Sequence, residues 1–299
     1  MKILLFGRNG QIGWELNRSL LPLGNIVALG RDEVDFLKLE SLRKIVRDVS
    51  PDVIVNAAAY TAVDKAESEE DVATVINGAA PGVLAEEACR INALLVHYST
   101  DYIFDGTKTE PYTENDTPNP LNAYGRSKLA GERAIEASGC DYLTLRTSWV
   151  YSARGKNFLL TVLRLAGERK ELKIVGDQFG APTWARNIAD VTGHVLATSR
   201  SERESNRFVS GICHLSASGK TSWHGFSNAI VVRARQLDTG GKYITESVLP
   251  ITTEEYPLPA QRPKNSQMAS VLLTKRFGVV MDDWHHSMEL CVDEALRNI

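Results

Sequence analysis

Two residues four apart, Tyr124 and Lys128 in the run Tyr-Gly-Arg-Ser-Lys, are the pair in this 299-residue chain best suited to moving a proton. The run follows the turn-forming Asn119-Pro-Leu-Asn-Ala123. It leads into Leu129–Ile135, whose residues favour a helix apart from one weakening glycine. Positions four apart share a helix face, so the phenol and the ammonium are expected on one side. A free phenol has a pKa of about 10 and is a slow proton donor at neutral pH. A cation beside it favours phenolate and lowers that value by roughly 1–3 units, while a lysine keeps N–H groups for a ribose. The same spacing arises by chance on many helices, so its weight depends on its surroundings.

A second group lies at the N-terminus. Gly7, Gly10 and Gly13 stand three apart directly after the apolar run Ile3–Phe6, and Ile12, Leu16 and Leu20 then keep helical spacing. Strand, glycine turn and helix in that order leave free N–H groups at the helix start for a pyrophosphate. A glycine turn without a ligand is the plain alternative. A second apolar run, Ile26–Leu29, ends in Gly30-Arg31, with Asp35-Phe36 shortly after. The second strand of such folds ends at the adenosine ribose. An acid there bonds the 2′-hydroxyl of NAD, whereas Arg31 suits the 2′-phosphate of NADP. Ala57, Ala58 and Ala59 follow Val53–Asn56 and let a flat ring or a ribose lie against the backbone, or else mark close helix–sheet packing. Thr100-Asp101 ends the run Leu94–Ser99. A hydroxyl at that strand tip can bond a substrate carbonyl beside Tyr124, and a strand-end turn is the alternative.

These groups need a scaffold. Apolar runs of strand length alternate with helical patterns as far as a fifth strand, Tyr142–Thr147, which predicts an α/β fold with a doubly wound parallel sheet. Helices are expected through Leu42–Val49, ending at Pro51, and over Val83–Arg90 after an interruption at Pro81-Gly82. Phe104–Asn122 is long for a structureless loop, which suggests a binding role. Helical patterns follow over Asn157–Ala166 and Ile188–Leu196, with Lys173–Val175 and Cys213–Leu215 as further strands. Residues 199–207, rich in Ser, Arg and Glu, read as an exposed linker. From Trp223 the pattern changes to a helix, a Pro-rich loop (Pro250–Pro263) and two short helices. The expected division is a dinucleotide-binding domain over 1–150 to which 172–215 returns. A smaller C-terminal α/β substrate lobe takes 151–171 and 216–299.

Composition narrows the classes. With 43% hydrophobic residues the chain can bury a large core. A net charge of −3 without a basic run argues against nucleic acid and anionic membrane. No apolar run nears the roughly 18 residues of a membrane span. The start, Met-Lys-Ile-Leu-Leu-Phe-Gly, reads as a first strand because its apolar core is shorter than a signal peptide needs. Cys89, Cys140, Cys213 and Cys291 show no paired spacing, as expected of a reduced, cytoplasmic protein with no cysteine metal site.

Taken together, Gly7/Gly10/Gly13, Asn56 with its alanines, Ser99-Thr100 and Tyr124/Lys128 resemble the extended short-chain dehydrogenase/reductase family. Longer runs are similar to its reductases of dTDP-linked 4-keto-6-deoxysugars along nearly the whole chain. They are Gly10–Leu16, Asn56–Glu67, His97–Phe104, Tyr124–Glu132, Arg146–Tyr151, Asp177–Thr183 and Arg262–Ser266. The resemblance implies a Rossmann-like fold and reduction of the sugar C4 keto group by NADPH or NADH. It implies Tyr124 as the acid at the C4 oxygen, Lys128 on the ribose and tuning Tyr124, and Thr100 orienting the carbonyl. Asp101 and Trp149 would contact the sugar, and Arg262 the diphosphate. Gln11, Ile12, Asp35, Phe36, Ala59, Tyr60, Thr61 and Tyr98 would line the cofactor. The partners implied are a homodimer and a pathway link to a 3,5-epimerase.

Two positions depart from the family pattern. Some members hold Mg²⁺ between acidic residues at a dimer contact; Glu15 fits, but Arg186 and Asn187 stand where a second acid is wanted, so no metal ligand is assigned. Gly30 replaces an acid common at the second strand's end, which leaves NADH against NADPH open. Two other readings stand beside reduction. One is an epimerase or dehydratase of a nucleotide sugar, though Tyr102 follows Thr100-Asp101 where dehydratases carry an Asp-Glu pair. The other is a non-catalytic NADP-binding regulatory subunit, which an intact Thr100/Tyr124/Lys128 set disfavours.

Overall fold

The computed structural model describes residues 1–297. Six strands form one parallel sheet: β1 (Lys2–Phe6), β2 (Asn25–Leu29), β3 (Val53–Asn56), β4 (Leu94–Thr100), β5 (Tyr142–Thr147) and β6 (Gly211–His214). Their order is 6-5-4-3-1-2. β3 and β4 are buried along their whole length, which is why they read as continuous apolar runs rather than alternating ones. Helices Gln11–Ser19 and Ala185–Glu204 bring Leu16, Leu20, Ile188 and Val195 to one face. Helices Leu39–Val49 and Ala80–Arg90 bring Leu42, Val46, Val83 and Leu84 to the other. The sheet is therefore doubly wound, as the alternation of patterns predicts.

From β1 the chain moves outward to β2, then crosses back to lay β3 on the other side of β1. Where the winding direction reverses, the loops leaving β1 and β3 part, and a crevice opens above the carboxyl ends of the two strands. The glycine turn and the alanine run therefore face one another across it.

A third core sits beyond the sheet. Tyr151, Trp184, Leu163, Phe226, Ile230 and Met288 pack among helices Phe158–Glu168, Trp223–Leu237 and Trp284–Arg297. Four details differ from the sequence expectation. Glu171–Val175 pairs with Ser247–Ile251 in this lobe, so the segment returning to the main sheet begins at the helix Ala185–Glu204 and not at 172. Helix Val271–Phe277 in turn packs Leu273 and Phe277 onto the main core. Residues 199–204 are helix rather than linker. Their polar composition belongs to an exposed face, held by Arg200–Glu204 and by Arg203 on Asp141. Pro81 does not interrupt its helix. It falls in the first turn after a wide π turn at Val75–Ala79, where a missing N–H costs little.

Candidate active site

The crevice widens into a cleft of about 1040 Å³ running from Gly30 and Phe36, past Gly7 and Ala57, to Tyr124 and Lys128. Gly7, Gly10, Gln11, Ile12, Gly30, Arg31, Asp35, Phe36, Ala57, Ala58, Ala59, Tyr60, Thr61, Tyr98, Tyr124 and Lys128 all line it. Gly13 does not. A Cβ on Gly13 would lie 2.0 Å from the Gly7 carbonyl oxygen, so its service is to let the helix start close against the turn. Gly7 has a φ of +86° and approaches Ala57 so closely that a Cβ would meet its backbone at 2.7 Å.

A dinucleotide fits this cleft. Gly10 caps the helix Gln11–Ser19 with no side chain on the first N–H groups, which leaves them for an anion. The hydroxyls of Ser99 and Thr147 line the far part, are buried and have no hydrogen-bond partner. At the adenosine end Arg8 takes Asp32 and Glu33 in ion pairs, so these neighbouring acids are engaged away from Arg31. Ser152–Lys156 also lines the cleft, a stretch that sequence reasoning missed. Its signal was two cations flanking a glycine, with Arg154 set over the Trp14 ring at 4.5 Å.

The inner end is built by the tip of β4 and the helix Ala123–Ala137. Asn122 caps that helix by accepting the N–H of Gly125 at 2.8 Å. Tyr124 then stands over the β4 tip with its ring edge-on to Tyr102 at 5.9 Å. Burial pushes the Tyr124 phenol up to about 12, with the Thr100 hydroxyl pulling against it. This reverses the expected lowering of the phenol by Lys128. Lys128 is 2% exposed, donates to the Tyr98 carbonyl at 2.6 Å and lies 3.1 Å from His97 Nε2. Burial lowers it to about 8 against the opposing pull of Glu132. One N–H is thus taken by the Tyr98 carbonyl and a second direction faces the His97 ring, which leaves the third for the cleft.

Thr100, Asp101, Trp149 and Arg262, expected to meet the substrate, lie beyond the cleft lining. Thr100 donates to Asp101 Oδ1 at 3.0 Å and accepts the Tyr102 N–H at 3.2 Å. Asp101 is buried, its Oδ2 has no partner, and burial raises its carboxyl to about 7 despite the Ser266 and Thr100 hydroxyls. Trp149, at φ +46°, stacks on Trp223 with ring centres 3.6 Å apart. Arg262 is not free. It makes a two-pronged ion pair with Asp64 and donates to the Ala260 carbonyl. The same pairing lowers the Asp64 carboxyl. Glu15, raised above as a metal ligand, is buried and taken up by Arg186, which also bonds Glu294. A guanidinium therefore lies between these carboxylates. Among the described residues no group of three or more His, Cys, Asp and Glu could hold a metal ion, and no helix is long and apolar enough to cross a membrane.

Residues 1–297 match the model of the RmlD substrate binding domain family. The chain is 55% identical over 296 residues to the dTDP-4-dehydrorhamnose reductase of Burkholderia thailandensis, covering 99% of each protein. Its fold is similar to a crystal structure of a dTDP-4-dehydrorhamnose reductase from Clostridium acetobutylicum, with 35% identity, a TM-score of 0.89 and full coverage of both chains. It is equally similar to that of Bacillus anthracis solved in complex with NADP, at 33% identity and TM-score 0.89, covering 98% of this chain and 99% of that one. A parallel sheet with a dinucleotide-sized cleft, a Tyr–Lys pair at its inner end and likeness over the full length make this chain a member of the dTDP-4-dehydrorhamnose reductase family.

Proposed function

We propose that the protein reduces the C4 keto group of dTDP-4-dehydro-L-rhamnose with NADPH or NADH, giving dTDP-L-rhamnose for cell-surface polysaccharide. The observation that carries the reading is the meeting of Tyr124 and Lys128 at the inner end of the cleft, with the Thr100 hydroxyl beside Tyr124, within a chain similar to these reductases throughout. Bound NAD(P)H supplies the hydride. The chain supplies the proton: Tyr124 donates to the C4 oxygen, and its raised phenol keeps it protonated across the neutral range. That suits a reductase, which needs an acid at this position rather than a phenolate base. Thr100 and Asp101 hold a polar edge beside Tyr124 for the carbonyl and its neighbouring hydroxyls, and Trp149 offers an apolar face to the deoxysugar.

In this reading the sheet with its two helical layers binds the nucleotide cofactor, and the lobe of the third core receives the sugar. Arg262 reaches the diphosphate by leaving Asp64. A 3,5-epimerase supplies the substrate, and a homodimer is the assembly. The four free cysteines support a cytoplasmic setting. The test is a coupled assay with dTDP-4-keto-6-deoxyglucose and NADPH, with and without a 3,5-epimerase, read by absorbance of the reduced cofactor. Oxidation only in the presence of the epimerase is expected. Oxidation without it points to a reductase of the unepimerised sugar, and none in either case refutes the reading.

A further inference from the structure

Among the described residues, Ser99 and Thr147 alone both line the cleft and bury a side-chain oxygen that has no hydrogen-bond partner. They are 4% and 6% exposed. A buried hydroxyl without a partner lowers stability, so one that persists calls for a reason. Their neighbours at the same strand tips are satisfied. Thr100 donates to Asp101 Oδ1 at 3.0 Å, and Ser148 donates to the Ala181 carbonyl at 2.9 Å.

The two hydroxyls stand on adjacent strands, where Ser99 of β4 lies beside Arg146 of β5, and Thr100 beside Thr147. Side chains alternate along a strand, so Ser99 and Thr147 leave opposite faces of the sheet. Ser99 shares its face with His97, whose Nε2 meets Lys128 Nζ at 3.1 Å. Arg146 on that face bonds Glu132 of the helix Ala123–Ala137. Thr147 shares the other face with Tyr98, whose hydroxyl meets that of Thr192 in the helix Ala185–Glu204 at 2.7 Å. Beyond Thr147, Val150 also lines the cleft, and its carbonyl accepts Gln11 Nε2 at 3.4 Å. The crest of β4 and β5 thus carries one unpartnered hydroxyl on the side of Tyr124 and Lys128, and another on the side of the helix after the glycine turn.

The nicotinamide end of the cofactor has two polar parts with an apolar ring between them. One is a ribose with two hydroxyls, and the other is a planar carboxamide with one acceptor and two N–H donors. A serine or threonine hydroxyl donates and accepts, and so can pair with either. The third N–H of Lys128 faces the cleft on the Ser99 side, which places the ribose there and leaves the carboxamide for Thr147. Resting on the reading of this cleft as the cofactor site, we propose that Ser99 and Thr147 are nicotinamide-end binding residues. The Ser99 hydroxyl pairs with the ribose and the Thr147 hydroxyl with the carboxamide, which lays the ring across the strand crest beside Tyr124.

Three probes test this by calorimetric titration into the full chain. They are NADPH, 2′-phospho-ADP-ribose, which keeps the ribose and lacks the nicotinamide, and adenosine 2′,5′-bisphosphate, which lacks both. Thr147→Val keeps the shape and removes the hydroxyl. It is expected to weaken NADPH roughly three- to tenfold, the worth of one hydrogen bond, and to spare the other two probes. Ser99→Ala is expected to weaken NADPH and 2′-phospho-ADP-ribose alike and to spare the bisphosphate. Thr147→Ser, which keeps a hydroxyl, should hold NADPH affinity. The ligand-free Tm of Thr147→Val should stay level or rise, since a buried hydroxyl without a partner is lost. Unchanged NADPH affinity in both variants overturns the proposal, and so does a lowered ligand-free Tm with all three probes weakened, which assigns the hydroxyls a structural role. The reverse division, with Thr147→Val weakening 2′-phospho-ADP-ribose, overturns the placing of the two ends. Failure of the reductase reading looks different: the keto sugar would stay unreduced while these affinities divided as expected.

Discussion

Replacing Gly180 by alanine tests whether Trp149 forms part of the sugar site. A Cβ on Gly180 would lie 2.7 Å and 2.9 Å from two ring carbons of Trp149, and 2.9 Å from Ser266 Oγ. Carbon atoms normally meet at about 3.5–4.0 Å, so the indole edge must retreat by about 1 Å. It cannot retreat as a slab, because its other neighbour is Trp223, stacked at 3.6 Å and backed in turn by Phe158 at 4.6 Å. Overpacking of this kind costs about 1–3 kcal/mol of stability. A misplacement of about 1 Å in a substrate-positioning group costs up to roughly 10²-fold in rate. The tyrosine, the lysine and the cofactor cleft are untouched. Steady-state assays should therefore show kcat/KM for the keto sugar falling by roughly ten- to a hundredfold, with KM for NADPH unchanged and a modestly lowered Tm. A lowered Tm with wild-type kcat/KM would show that Trp149 packs but does not serve the sugar. An unchanged Tm would refute the packing argument itself.

Tyr124→Phe should lower turnover by roughly 10²–10⁴-fold, the usual worth of a positioned acid, with NADPH titrated by fluorescence binding nearly as before; unchanged turnover would remove Tyr124 from the chemistry. Arg31→Ala should raise KM for NADPH by roughly 10–100-fold and leave KM for NADH alone, because a charge-assisted bond to a 2′-phosphate is worth about 1.5–3 kcal/mol. Equal effects on both cofactors would show that Arg31 does not read the phosphate. The Asp101 carboxyl is raised from 3.8 to about 7, so the stability it contributes is complete below its unfolded value and lost as pH rises through about 7. The rise corresponds to about 4 kcal/mol. Asp101→Asn should therefore gain Tm over the parent above about pH 8 and gain little near pH 4, and a pH-independent difference would contradict the buried carboxyl.

The nucleotide-binding half was legible because its signals are local. Ile3–Phe6, Val53–Val55 and Leu94–Val96 are apolar without alternation because both sheet faces are covered, and Gly7 stands where the turn takes a positive φ. Tyr124 and Lys128 share a helix face by spacing alone, and the cofactor residues other than Gly13 follow the ends of β1, β2, β3 and β4 into one cleft. What the sequence could not decide depends on who meets whom. Polar composition at 199–204 reads alike for a linker and for an exposed helix face, and only the packing of the rest of that helix on the main core and the Arg203–Asp141 pair make it helix. A lysine beside a tyrosine was expected to lower the phenol. Burial of the phenol, and next the charge of Asp101, raise it instead, while the Tyr98 carbonyl holds Lys128. Arg262 and Asp64 stand 198 positions apart, and Trp149 and Trp223 come from opposite sides of the returning segment. Spacing and residue type therefore determined the fold class, the cleft and the placing of Tyr124 and Lys128 together at its inner end. Tertiary structure alone decided the ionisation of that pair and the partners of the substrate-side residues, because desolvation and ion pairing depend on neighbours far away in sequence.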